Sequence, residues 1–135
     1  VGAVRGYAYQ FGRRTGLQVA VHCRHAQLRL APDLELAMFR IVQEAMTNSA
    51  KHAQARRLDV TIELAGHPAR VSIADDGVGI RADLAGASAG LSGLGLQTMR
   101  ETAEFVGGRL SVYVHAGGGT QVDVEIDGTY RESSS

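Results

Sequence analysis

Apolar and polar positions change rhythm several times along the chain, and each change marks an element. After glycines at Gly12 and Gly16 break a short opening segment, "LQVAVHC" from Leu17 to Cys23 alternates on a period of two, as a half-buried strand does. From Pro32 the period lengthens. Leu34, Met38, Ile41, Ala45 and Ser49 recur three or four apart, which predicts a helix with one core-facing stripe running to about Ala53. Pro32 suits a first helical turn, and Asp33 is placed to cap the free amides there. "LDVTIEL", Leu58 to Leu64, and "RVSIADD", Arg70 to Asp76, return to strict alternation, and Gly66, His67 and Pro68 between them predict a hairpin. Asp76 to Gly95 is a loop by composition, dominated by glycine, alanine and serine. A helix follows from about Leu94 to Val106, stopped by Gly107 and Gly108. "RLSVYVH" and "TQVDVEI" then flank a glycine turn at Gly117 to Gly119 as a closing hairpin. The polar end, residues 127–135 with "RESSS", is expected to fray.

Strands joined as hairpins, with helices between them and no regular strand-helix alternation, predict an α+β fold. The expected form is a two-layer sandwich with a mixed, mostly antiparallel sheet and helices on one face. No internal repeat and no second domain stand out, so residues 1–135 read as one domain, long enough to bury a sizeable core. Apolar residues at 44% and charged ones at 21% place the chain among globular proteins. Fourteen basic residues balance fourteen acidic ones, so the total charge announces neither nucleic acid nor a membrane surface, and any anion site must be local. The lone Cys23 has no partner for an internal disulfide, and no apolar run approaches the roughly 20 residues that cross a bilayer. Val1 to Leu17 lacks the pattern of a signal peptide. A reducing, cytoplasmic setting fits these features, and the opening Val suggests a piece of a longer protein.

Three stretches carry candidate chemistry. In "RIVQEAMTNSAKHA", Arg40 to Ala53, helical spacing sets Glu44, Asn48 and the Lys51/His52 pair in one polar row. Asn is a poor helix-interior residue, because its side chain competes for backbone hydrogen bonds. A carboxylate and an amide oxygen one turn apart suit Mg²⁺ held jointly with phosphate oxygens. Lys51, the only lysine beside thirteen arginines, offers a mobile point charge. The same row also fits the solvated face of an amphipathic helix. In "DDGVG", Asp75 to Gly79, a carboxylate at a strand end can accept from the exocyclic amine of adenine, where guanine offers a carbonyl. Gly77 and Gly79 let backbone approach a flat ring, although Asp and Gly also make ordinary tight turns. "GLSGLGL", Gly90 to Leu96, runs into a helix whose free amides and dipole favour phosphate, and it reads equally as a loop hinge.

Other motifs fail on their particulars. Gly90 and Gly95 have Walker A spacing, but Leu96 stands where lysine is required. "GVGIRA" mimics a dinucleotide fingerprint, yet a Gly/Ala/Ser loop follows it, with no strand-end acid about 20 residues on. His22, Cys23 and His25 suggest a metal site only until strand geometry sends neighbours to opposite faces.

Order and spacing together are more specific than any part. An E-x-x-x-N-x-x-K-H helix, a hairpin ending in D-x-G-x-G, a glycine-rich stretch closing on G-L-G-L, a helix and then "GGGT" resemble the ATP-binding domain of sensor histidine kinases in the GHKL superfamily. The likeness spans about Leu34 to Ile126, and the stretch before it looks like the usual lead-in strand. "QEAMTNSAKHA", "DDGVG" and "MRETAEFVGG" look most like the nitrate-sensor-like subfamily, whose lid is short. No Phe occurs between Gly79 and Gly93, so the phenylalanine box of larger kinases is missing.

The resemblance implies a Bergerat-type ATP-binding fold and a role for each matched position. Asn48 matches a Mg²⁺ ligand, with Lys51 and His52 near the phosphates. Asp75 matches the adenine-reading carboxylate, and Gly77 and Gly79 shape the floor. Gly93, Leu94, Gly95 and Leu96 match the second glycine box, where backbone amides meet phosphate. Thr120 matches a threonine that supports Asp75 or an adenine-bound water. Glu44 matches an acid that serves as catalytic base, Mg²⁺ ligand or positioning group, and the choice stays open. The lid, Ile80 to Ser92, with six Ala and Gly among thirteen residues, is expected to stay unordered without ligand.

No helical hairpin with an acceptor histidine precedes Leu17. The fragment, a monomer by itself, is therefore expected to bind ATP or ADP without phosphorylating itself. The whole protein, a homodimer, is expected to send the γ-phosphoryl to a histidine on its dimerisation helix and then to a response-regulator aspartate. The rival readings are an anti-sigma-factor-type serine kinase, a nucleotide-sensing module without turnover, and a dinucleotide oxidoreductase. The signal, the regulator and any membrane anchor of the parent are not written in these residues.

Overall fold

The computed structural model describes residues 2–24, 28–51, 55–65, 68–77, 96–114, 118–126 and 130–132. Five strands form the main sheet: β1 (Gln18–Arg24), β3 (Arg57–Glu63), β4 (Ala69–Asp75), β5 (Gly108–Val114) and β6 (Thr120–Ile126). They lie in the order β1-β3-β4-β6-β5. β1 runs parallel to β3 and every other pair is antiparallel, which gives the expected mixed, mostly antiparallel sheet. Parallel neighbours need a crossover, and the connection from β1 to β3 contains the long helix α2 (Pro32–Lys51).

Alternation along the strands decides which face is covered. Leu58, Val60, Ile62, Val71, Ile73, Val122, Val124 and Ile126 are buried on one face, against the helices. The other face is polar and carries an Arg70–Glu125 ion pair and a His22–Asp59 contact. Asp75 closes β4 in register with the buried Leu58, so its side chain belongs to the helix side.

In α2 the predicted stripe of Leu34, Met38, Ile41, Ala45 and Ser49 is buried throughout. The Asp33 carboxylate accepts from the Leu34 amide at 3.0 Å at its start. A third helix, α3 (Leu96–Phe105), buries Leu96, Met99 and Ala103, and Gly107 at φ +79° ends its last turn.

Two elements differ from the expectation. The opening segment is a 14-residue helix, α1 (Gly2–Thr15), which buries Val4, Ala8 and Phe11. Its three glycines hide it from a propensity reading, and packing on β1 and α2 supplies what propensity lacks. A Cβ on Gly12 would lie 3.0 Å from the Leu17 carbonyl oxygen, so the bare α-carbon is what lets α1 lie close to the chain that leads into β1. The second difference falls in the end expected to fray: β7 (Tyr130–Glu132) pairs antiparallel with β2 (Leu28–Leu30). Backbone pairing with a partner about 100 residues earlier compensates there for the polar composition.

Candidate functional site

The site is built around the Asp75 carboxylate, on which three elements converge. At the end of β4 the chain turns, and the Gly77 amide donates to Asp75 Oδ1 at 3.0 Å. β6 lies beside β4, so the amide of its first residue, Thr120, donates to the same oxygen at 3.2 Å. From α2, the Ser49 hydroxyl donates to Oδ2 at 2.8 Å. Ser49 and Thr120 are the buried polar side chains among the described residues, and both residues touch Asp75.

The turn before β6 fits closely under this strand end. Gly119 has φ +101°, and a Cβ there would stand 2.5 Å from the Asp75 carbonyl oxygen. A Cβ on Gly118, at φ +105°, would stand 3.0 Å from the Gly77 carbonyl oxygen. Left-handed backbone and close approach together require glycine at Gly119.

Asp76 takes the opposite side. It is exposed, and its Oδ1 accepts from the Arg56 and Arg57 amides, each at 2.9 Å. These two bonds, Arg57's first, hold its carboxyl below the usual carboxylate range. Asp76 thereby ties the start of β3 to the end of β4.

On α2, Glu44 and Asn48 are half-buried and one turn apart, so they share a face. Asn48 immediately precedes Ser49, so the Ser49–Asp75 bond fixes the helix turn that carries it against the end of β4. Lys51 is the last residue of α2. Leu96 begins α3 with its side chain in the core. His52, Gly79, Gly93, Leu94, Gly95 and the lid from residue 80 to 92 lie outside the described residues.

Asp75, Gly77 and Thr120 are thus brought together at the ends of β4 and β6, Thr120 meeting Asp75 through its amide, and Asn48 adjoins Ser49 in the α2 turn bonded to Asp75. Ser49 was missed. Its signal in sequence is a hydroxyl in an otherwise apolar stripe, directly after the candidate Asn48.

His22 and Cys23 do point to opposite faces. His22 Nε2 lies 3.2 Å from Asp59 Oδ1, while Cys23 packs against the core, where burial pushes its thiol pKa up. His25 lies outside the described residues. Two clefts border the described parts without reaching Asp75. One of about 500 Å³ is lined by Thr15, Gln18, Arg56, Arg57 and Asp76 among others. One of about 380 Å³ lies between the first half of α2 and the end of α3, beside Leu36 and the exposed Phe105. Among the described residues no helix is long and apolar enough to cross a membrane.

Residues 33–129 match the family described as histidine kinase-, DNA gyrase B- and HSP90-like ATPase. The oxygen sensor histidine kinase NreB of Staphylococcus carnosus (strain TM300) is 32% identical over 124 residues, which are 92% of this chain and 35% of that protein. The chain therefore spans about a third of the length of that curated relative. The solved catalytic domain of histidine kinase ThkA shares the fold at TM-score 0.76 and 19% identity, covering 93% of this chain and 90% of that one. The ATP-binding domain of PrrB from Mycobacterium tuberculosis matches at TM-score 0.75 and 19% identity, covering 94% and 92%.

Proposed function

Because the chain belongs to the histidine kinase-, DNA gyrase B- and HSP90-like ATPase family, we propose that it binds Mg·ATP around Asp75 and α2 as the catalytic domain of a sensor histidine kinase. The observation that carries this reading is the convergence on Asp75 of Gly77, Thr120 and Ser49. An ionised carboxylate has about four lone-pair sites, and the three donors found among the described residues leave about one of them. That site takes the exocyclic amine of adenine. Guanine presents an acceptor there and is refused.

The phosphates run toward α2. Glu44 and Asn48 offer two hard oxygen donors on one helix face, too few for a complete protein cage and suited to a Mg²⁺ that keeps water and phosphate oxygens. The bound ion would neutralise charge on the β- and γ-phosphate oxygens. By the family resemblance Lys51 and His52 are assigned to the phosphates, with the lysine supplying positive charge, and so are the backbone amides of residues 93–96, the last of which begins α3. By the same resemblance Gly77 and Gly79 are assigned to the floor of the base site. Glu44 holds either the cation or the incoming nucleophile. The chain's task is positioning and charge neutralisation, which suffice for phosphoryl transfer.

In the longer, homodimeric protein the γ-phosphoryl passes to a histidine on a dimerisation helix, ADP departs, and a response-regulator aspartate receives the group next. Such a domain works in the cytoplasm, where ATP is. The test supplies a separate helical hairpin bearing an acceptor histidine, together with γ-labelled ATP. Label in an acid-labile, alkali-stable bond to histidine is expected. Label on serine would make the chain a serine kinase, and ATP binding without transfer to any hairpin supplied would leave a nucleotide-sensing module.

A further inference from the structure

We infer that Ser49 is a positioning residue for base selection: its hydroxyl fixes the rotation of the Asp75 carboxylate, so that the remaining lone pair points at the adenine amine. This rests on the reading of Asp75 given above. The torsion that turns a carboxylate is broad and resists rotation weakly, so a lone carboxylate at a strand end is a poor reader of hydrogen-bond direction. Here both oxygens are held, and from different elements. Oδ1 is held by the Gly77 and Thr120 amides, and Oδ2 by the Ser49 hydroxyl through the shortest of the three bonds, 2.8 Å.

The amides alone leave Oδ2 free to swing about Oδ1, and the serine stops that swing. The hydroxyl suits this use because Ser49 is only 4% exposed, which limits competition from water, and a bond to a charged acceptor in such a place is strong. Selection follows from direction. A locked lone pair rewards a donor at one place on the purine edge, whereas a swinging carboxylate accepts from water equally well and gains less from the amine.

A bond that merely pins α2 to the sheet would behave differently, because loosening the helix weakens every nucleotide alike. The discriminating quantity is the preference for ATP over purine riboside triphosphate, which lacks the exocyclic amine. Dissociation constants for both are measured by calorimetry on the wild type and on Ser49→Ala, Ser49→Cys, Asp75→Asn and the Ser49→Ala/Asp75→Asn double variant.

Loss of a hydrogen bond to a charged group predicts that Ser49→Ala weakens ATP about 5- to 20-fold and purine riboside triphosphate by less than about twofold. Ser49→Cys, a similar size with a weak donor, should fall between and keeps the test alive should alanine not fold. With Asn at position 75, removing Ser49 should change the preference no further. Equal weakening of both nucleotides in Ser49→Ala overturns the inference and makes Ser49 a structural pin. If Asp75→Asn by itself leaves the preference intact, the reading of Asp75 fails. If Asp75→Asn abolishes the preference while Ser49→Ala keeps it, only the role of Ser49 fails.

Discussion

Asp75 and Asp76 are chemically identical neighbours, and the pleat of β4 sends one toward the helices and the other to the outer edge. Asp75 is tied by donors from three elements and is proposed to read the base. Asp76 is exposed and holds two backbone amides of the β3 start. Because those bonds lower its folded pKa below the unfolded value of about 3.9, the unfolded chain binds more protons in that range. Its contribution is complete above the unfolded pKa and is lost as pH falls through the lower, folded pKa. Urea midpoints measured from pH 7 to pH 2 should show Asp76→Asn less stable than the wild type at neutral pH, with the gap closing below about pH 4. Asn48 allows a second check. With Asn48→Ala, calorimetry should show ATP affinity that no longer improves when Mg²⁺ is added, whereas the wild type gains. An undiminished Mg²⁺ effect would remove Asn48 from the cation end.

At the scale of elements, α2 was legible because its buried stripe keeps its period over 20 residues and its start carries Pro32 and Asp33. Both hairpins were legible for the same kind of reason, a strict period of two broken by turn residues. α1 was not, because Gly2, Gly6 and Gly12 lower its propensity and its stripe of Val4, Ala8 and Phe11 is thin. Tertiary contacts make it a helix: Tyr7 meets Phe39 of α2 edge-on at 5.8 Å and Phe11 at 5.7 Å. Phe11→Ala should therefore cost about 3–5 kcal/mol, the usual range for emptying a buried aromatic site. Differential scanning calorimetry reads this as a lowered Tm, and an unchanged Tm would mean that α1 adds nothing to the core. Within the candidate site, Asn48 and Asp75 were legible from helix spacing and from the acid at a strand end, and Thr120 only through the family resemblance. Ser49 was not, because a small residue in an apolar stripe reads as packing, and only its distance from Asp75 reveals the bond.

Across the whole molecule, the site exists because sheet order differs from chain order. Ser49 and Thr120 lie 26 and 45 residues from Asp75 in sequence. Insertion of β4 between β3 and β6, with α2 across the covered face, brings all three together. A slip of one residue in the β4–β6 register would turn Asp75 out of the core layer and part it from the Thr120 amide, so the apolar alternation that fixes register also fixes the site. If α2, β4 and β6 form one purine nucleotide site, amide chemical shifts followed during titration of the ¹⁵N-labelled protein with ATP will register it. Asn48, Ser49, Asp75, Gly77 and Thr120 are expected to shift together along one saturable curve. Shifts confined to the cleft beside Leu36 and Phe105, or none that saturate, would contradict it.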